Sequence, residues 1–162
     1  MDTYKLVYTE ALIKKGVRAY WRKQVGIAYP LVAVGLTGYF FYLLESGYRS
    51  WPLGVIGLVA FLSFALIVAI YIIHLRSSMT AFDKMTDQQG EIGLSGDRIK
   101  LSSEVGTTEI RWSFIRRIFR FDAFWVIEFD GSGFVILPLD NLPESARSFI
   151  EAKVTEHRGV VI

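Results

Sequence analysis

Two long stretches of the chain carry no charge at all, and nothing else in the sequence limits its fold so severely. Val25 to Leu44 gives 20 residues, and Pro52 to Ile73 another 22, without one Asp, Glu, Lys, Arg or His. At 1.5 Å rise per residue a helix of either length is roughly 30 Å long, the thickness of a bilayer's hydrocarbon core. The second stretch holds 14 residues of Leu, Ile, Val and Phe, which favour insertion by on the order of 4 to 8 kcal/mol. The first is diluted by Gly26, Pro30, Gly35, Thr37 and Gly38 and is expected to insert together with its stronger neighbour. A core helix of a soluble protein keeps a polar face, and neither stretch has one. A cleaved signal peptide is not expected, because the first stretch starts after 24 residues, is too long and lacks a small-residue cleavage site.

Charge around the two stretches sets an expected orientation. Lys14, Lys15, Arg18, Arg22 and Lys23 precede the first and Arg76 and Lys84 follow the second, whereas the segment between them has only Arg49. Basic flanks are retained on the cytoplasmic side, so a two-span hairpin of the plasma (inner) membrane with both ends in the cytoplasm is expected. Tyr20, Trp21 and Tyr71 at one boundary, and Tyr42, Tyr48 and Trp51 at the other, suit an aromatic belt. No ionisable residue lies within either stretch, which argues against an ion or substrate path through this chain alone. Gly35, Gly38, Gly54 and Gly57, with the Ala65 and Ala69 pair, would allow close helix packing, within the hairpin or in a homo-oligomer.

The flanking segments read as helices. Thr9 fits an N-cap, Glu10 a first turn, and Leu12, Ile13, Val17, Tyr20 and Trp21 recur at helical spacing. Lys14, Arg18 and Arg22 fall four apart on another face, beside Lys15. This is a basic amphipathic helix suited to anionic headgroups, or a plain extension whose charges only fix topology. Past the second stretch, Leu75, Met79, Phe82 and Met85 continue a helical stripe to near Asp87, available to pack on the N-terminal helix.

After Gly90 the period changes to two. Short strands are expected around Ile92 to Leu94, Ile99 to Leu101, Ile110 to Trp112, Ile118 to Phe121, Phe124 to Phe129 and Phe134 to Leu137, with turns at Gly96-Asp97, Glu104 to Gly106 and Asp130 to Gly133. A closing helix follows: Pro143 suits its first turn, Ala146, Phe149, Ile150 and Val154 its apolar face, and Gly159 lies past its end. Successive antiparallel strands covered by one helix imply a curved sheet or partly open barrel. Tyr4, Leu6 and Tyr8 alternate as well and offer a further strand from before the hairpin. The expected organisation is an N-terminal strand and basic helix over 1–24, a hairpin over 25–73, a juxtamembrane helix over 74–88 and an α+β domain over 89–162.

This layout, with Tyr8-Thr9-Glu10 at the start, Trp112-Ser113-Phe114-Ile115 in the strand region and Ile136-Leu137-Pro138-Leu139 near its end, resembles the bacterial YcxB-like membrane proteins. The resemblance covers nearly the whole chain through hydrophobic motifs. It implies a pleckstrin-homology-like (PH-like) fold, an antiparallel β-barrel or sheet with a C-terminal helix, for the C-terminal part. It carries over no catalytic residue.

Chemistry-bearing patterns are sparse. Cysteine is absent, so disulfides and thiolate metal sites are excluded. His74 and His157 lack a partner at metal-ligand spacing, Gly131-Ser132-Gly133 lacks the spacing of a nucleophile elbow, and no phosphate-binding loop occurs. No metal, cofactor or enzymatic activity is expected. Glu104, Glu109, Glu128 and Asp130 read as a solvated face. A net charge of only +2 gives no case for nucleic acid. The residues that stand out are basic: Arg98, Lys100, Arg111, Arg116, Arg117 and Arg120 crowd the middle strands, and Arg98 and Lys100 share a face by alternation. They read either as a solubilising face with local partners such as Glu109, or, with Lys14, Lys15, Arg18 and Arg22, as a surface for anionic lipid or an acidic protein. The expected function is a membrane-anchored, non-enzymatic binding or regulatory module. Its competitor is an accessory subunit of a membrane transport or enzyme complex.

Overall fold

A computed structural model describes residues 2–131 and 133–162, so Ser132, in the turn expected at 130–133, lies outside the described residues. The chain divides into two units, one of residues up to Val17 with Ser77–Ile162, the other Arg18–Arg76.

The Arg18–Arg76 unit is helical. It takes in the second half of α1 (Glu10–Val25), all of α2 (Ala28–Glu45) and most of α3 (Trp51–Asp83). The first uncharged stretch was expected as one helix from Val25, but the helix breaks between α1 and α2. Gly26 adopts φ +64°, a left-handed conformation that glycine enters without a Cβ penalty. Pro30 falls in the first turn of α2, where its missing N–H has no partner to lose. Both α2 and α3 are long and apolar enough to cross a membrane. Between Ala28 and Ile73 only Ala33, Ala60 and Ile67 are buried, and Leu31, Val32, Phe61 and Ile73 are each at least 63% exposed.

Contacts within this unit are few and specific. A Cβ on Gly57 would sit 2.7 Å from the Phe40 ring, so that glycine admits the ring of the opposite helix. The other three glycines expected at the packing seam, Gly35, Gly38 and Gly54, have nothing within 4 Å of that position, and Ala65 and Ala69 are exposed. Small residues are therefore present in excess of what the hairpin uses. Trp21 donates from Nε1 to the Ile67 carbonyl at 3.1 Å and meets Tyr71 edge-on, while Tyr20 meets His74 edge-on.

The other unit is built on two four-stranded sheets. The first has the order β1 (Asp2–Val7), β2 (Gln89–Leu94), β3 (Arg98–Ser103), β4 (Gly106–Arg111), all antiparallel. The N-terminal alternation is realised, since Tyr4 pairs with Ile92 and Leu6 with Gly90 across the whole helical insertion. The second sheet has the order β7 (Phe134–Pro138), β6 (Phe124–Phe129), β5 (Ile115–Arg120), β8 (Val160–Val161). In it β5, β6 and β7 are antiparallel and β8 runs parallel to β5. All six strands expected after Gly90 are present.

Several details differ from the sequence expectation. The apolar stripe past the second stretch was expected to stay helical to near Asp87, but α3 ends at Asp83. Gln88 takes φ +52° and its carbonyl accepts from the Tyr8 N–H, because the chain must turn to lay β2 beside β1. Trp112, expected at the end of a strand, lies in a 3-10 turn (Trp112–Phe114) that carries the chain from the first sheet to the second. There it is fully buried, donates from Nε1 to the Ser95 carbonyl at 3.0 Å, and packs edge-on against Phe149. Pro143 precedes α4 (Glu144–Glu156) as its N-cap in extended conformation rather than sitting in its first turn. Along α4, Ala146, Ile150 and Val154 are buried, whereas Phe149 stays half-exposed at the edge of Trp112. The two-residue strand β8 was not expected. It forms because a Cβ on Gly159 would lie 2.4 Å from Val154 and 2.9 Å from the Ile115 carbonyl, so only glycine lets the chain slip between α4 and β5.

Candidate functional site

The basic residues singled out from the sequence fall into three places, apart from Arg111, which is exposed at the end of β4 opposite Arg98. The first is α1, whose N-cap is Thr9: the Leu12 N–H donates to its Oγ1 at 3.2 Å. Ile13, Gly16, Val17 and Tyr20 form the buried side of this helix, and a Cβ on Gly16 would lie 2.5 Å from Ile136, so glycine brings α1 hard against β7. Lys14, Lys15, Arg18 and Arg22 are all exposed on the opposite side. Lys14 is tied to Glu10 one turn earlier. Lys15, Arg18 and Arg22 have no ion pair among the described residues, so three cations face outward unneutralised.

The second place is the outer face of β3. Arg98 binds Glu109 at 3.0 Å and Asp97 at 3.0 Å, and Lys100, directly opposite Glu109 in the ladder, lies 4.0 Å from it. The hydrogen bonds to Arg98 and Ser95 hold the Asp97 carboxyl below its ordinary range. Glu109 is therefore a local partner of both basic residues, as the solubilising-face reading of the cluster expected.

The third place is β5, on the other sheet. A bulge between Ile115 and Arg117 breaks the alternation, so that Ile115 and Ile118 are both buried and both intervening arginines are turned away from the core. Arg117 reaches Glu128 at 2.9 Å and Arg120 reaches Glu151 of α4 at 3.1 Å, while Arg116 is exposed. Glu128 was expected on the solvated face as well. It is 8% exposed, because β6 is covered on both faces, and its cost of burial is offset by the Arg117 guanidinium.

The β-strand cluster thus separates into two sheets, and four of its members are held by acids. The helix α1, in contrast, gathers its cations on one side and leaves three of them available. Among the described residues, no three His, Asp or Glu side chains come close enough to hold a metal ion.

Helices able to cross a membrane, inserted between β1 and β2 of a two-sheet β-domain closed by a C-terminal helix, define the class of this chain. Residues 94–152, from the end of β2 into α4, match the family model described as YcxB-like protein; the Trp112-Ser113-Phe114-Ile115 and Ile136-Leu137-Pro138-Leu139 motifs lie inside the match, and Tyr8-Thr9-Glu10 and the two apolar helices lie outside it. No curated protein and no solved structure matches the chain.

Proposed function

We propose that the chain is a membrane-anchored, non-enzymatic binding module. In this reading α2 and α3 cross the inner membrane as a hairpin with both ends of the chain cytoplasmic. The β-domain, read as a PH-like fold, works at the inner leaflet, and the outward side of α1 engages anionic headgroups. The observation that carries the reading is the one-sided placement of Lys15, Arg18 and Arg22, exposed, without acidic partners among the described residues, on the helix that leads directly into the first apolar stretch. Each basic residue near an anionic leaflet contributes about 1 kcal/mol, which salt screens. Arg98, Arg117 and Arg120 of the β-domain contribute less, since an ion-paired guanidinium must give up its carboxylate before it meets a phosphate.

The test is lipid selectivity of the full chain reconstituted in mixed anionic and zwitterionic nanodiscs. Replacing Lys15, Arg18 and Arg22 with Ser is expected to lower the enrichment of anionic lipid around the protein by about tenfold or more at low salt. Replacing Arg116, Arg117 and Arg120 with Ser is expected to change it less than threefold. Equal losses, or none from the α1 variant, would reject this reading.

A second reading, an accessory subunit of a larger membrane transport or enzyme complex, is favoured by the unused small residues of the hairpin. Gly35, Gly38, Gly54, Ala65 and Ala69 are exposed, and small positions are where helices approach in lipid. A stoichiometric crosslink from Gly38→Cys or Ala65→Cys to another protein in native membranes favours that reading; crosslinks only to lipid disfavour it.

A further inference from the structure

We propose that β4 is a pairing edge, on which β4 of a second copy of this chain docks antiparallel about a two-fold axis through Ile110. Of the strands that end the two sheets, β4 is the full-length one left open among the described residues. β1 and β7 lie against each other, β7 ends in Pro138, which has no N–H, and β8 has only two residues. β4 has six, with no proline and no register shift against β3, and all but the half-buried Ile110 are exposed.

The ladder decides which backbone groups are open. The Trp112 N–H donates to the Asp97 carbonyl at 3.4 Å, in step with the pairing of Ile110 with Ile99 and of Thr108 with Leu101. Antiparallel hydrogen bonding alternates, so Gly106, Thr108 and Ile110 bond β3, while Thr107, Glu109 and Arg111 turn their N–H and C=O groups to the open side. Such a row of backbone groups is a template for another strand.

Charge selects which strand. With the two-fold axis through Ile110, Glu109 stands opposite the second copy's Arg111, and Arg111 opposite the second copy's Glu109, so the edge is complementary to itself. Sliding the second copy to either neighbouring register that keeps the backbone bonds sets Glu109 against Glu109 or Arg111 against Arg111, and like charges directly opposite destabilise. Arg111 lacks an acidic partner within one copy: it faces Arg98 across the ladder and has no ion pair among the described residues, whereas Glu109 is held by Arg98 and Lys100. On the other face of the strand the two Ile110 side chains meet. An open hollow of about 530 Å³ beside this edge, walled by Ile110, Phe114 and Phe129 with Glu109, Arg111 and Asp130, leaves room for the incoming strand. Phe114, 53% exposed, gains cover there.

The chain has no cysteine, so a single introduced thiol reports the register. The full chain carrying Ile110→Cys, oxidised with copper phenanthroline in mild detergent, is expected to run mainly as a disulfide-linked dimer. Thr108→Cys, whose two thiols would lie four residues apart along the strands, roughly 13 Å, is expected to link at least fivefold less. Without oxidant, Arg111→Glu and, separately, Glu109→Lys are expected to weaken dimerisation of the cysteine-free chain at least tenfold by light scattering. An equimolar mixture of these two variants should recover it, because each offers the charge the other lacks, and misfolded variants would not be rescued in this way. Equal linking at 108 and 110, a wild-type chain that stays monomeric, a dimer untouched by Arg111→Glu, or a mixture that fails to recover would overturn the proposal. A dimer lost instead on Gly38→Leu would assign association to the helices and overturn it as well.

Discussion

The two units of this chain use apolar residues in opposite ways. In the sheet-bearing unit Trp112, Ile118, Ile127, Leu137 and Ile150 are sealed from solvent, and the exposed face is laced with ion pairs such as Arg98 with Glu109 and Arg120 with Glu151. In the helical unit residues of the same kind point outward: Trp51 is 82% exposed and Phe61 70%. A soluble surface tolerates scattered apolar residues, but not two complete helices of them. The difference teaches that the first unit is held together by its own core, whereas the second leaves the apolar sides of α2 and α3 uncovered, as the proposed membrane hairpin requires.

Removing the same kind of side chain from each unit breaks or sharpens that contrast. Trp112→Ala deletes a fully buried ring that packs on Phe149 and bonds Ser95, and is expected to cost the β-domain about 3–5 kcal/mol. Phe61→Ala, on an exposed face of α3, is expected to change it by less than about 0.5 kcal/mol. Hydrogen exchange of the β-strand amides in nanodiscs reads both, and similar losses would erase the distinction. A charge in place of an apolar residue reverses the sensitivity. Leu62→Arg near the middle of α3 is expected to weaken insertion by about 3 kcal/mol, read as the fraction of chain extracted from membranes by alkaline carbonate, with the β-strand amides unchanged.

Smaller effects are expected among the ion pairs. Glu128→Gln leaves the Arg117 guanidinium beside a neutral amide in a nearly closed site, and a loss of about 1–3 kcal/mol from the β-domain is expected by the same exchange measurement. Glu109→Gln removes an exposed partner of Arg98 and Lys100 and is expected to cost less than about 1 kcal/mol, vanishing at high salt. Smallest of all is the Asp97 contribution. Its folded-state carboxyl is held low by Arg98 and Ser95, so the stability it adds is present above the unfolded carboxyl's titration and is lost as pH falls through the folded one. An Asp97→Asn variant is therefore expected to show a shallower acid limb in a pH series of melts.

Much of this architecture was legible in the sequence because its periods are strong. The uncharged stretches, the alternation from Ile92 to Leu137 and the helical stripe of Ala146, Ile150 and Val154 each have one local interpretation, and Tyr4, Leu6 and Tyr8 disclosed a strand separated from its partner by the entire helical insertion. What escaped was set by contacts distant in sequence. The break at Gly26 looks like any glycine in an apolar run, and β8 is two valines whose pairing depends on Gly159 clearing Val154. The bulge at Arg117 hid which arginines face outward, and Glu128 read as a surface residue because alternation cannot tell an edge strand from β6, covered on both faces. The basic side of α1 could be seen in the spacing of Lys14, Arg18 and Arg22. Glu109 was legible as a local partner of the β-strand cations, but the engagement of Arg117 by Glu128 and of Arg120 by Glu151 was not, since it depends on the bulge in β5 and on a residue of α4.

Vesicle flotation of the full chain addresses the contrast between the units most directly. A chain whose α2 and α3 lie in hydrocarbon will rise with the vesicles through a density gradient after washes in 1 M salt and at alkaline pH. Recovery at the bottom of the gradient as a monodisperse, detergent-free monomer would contradict the account.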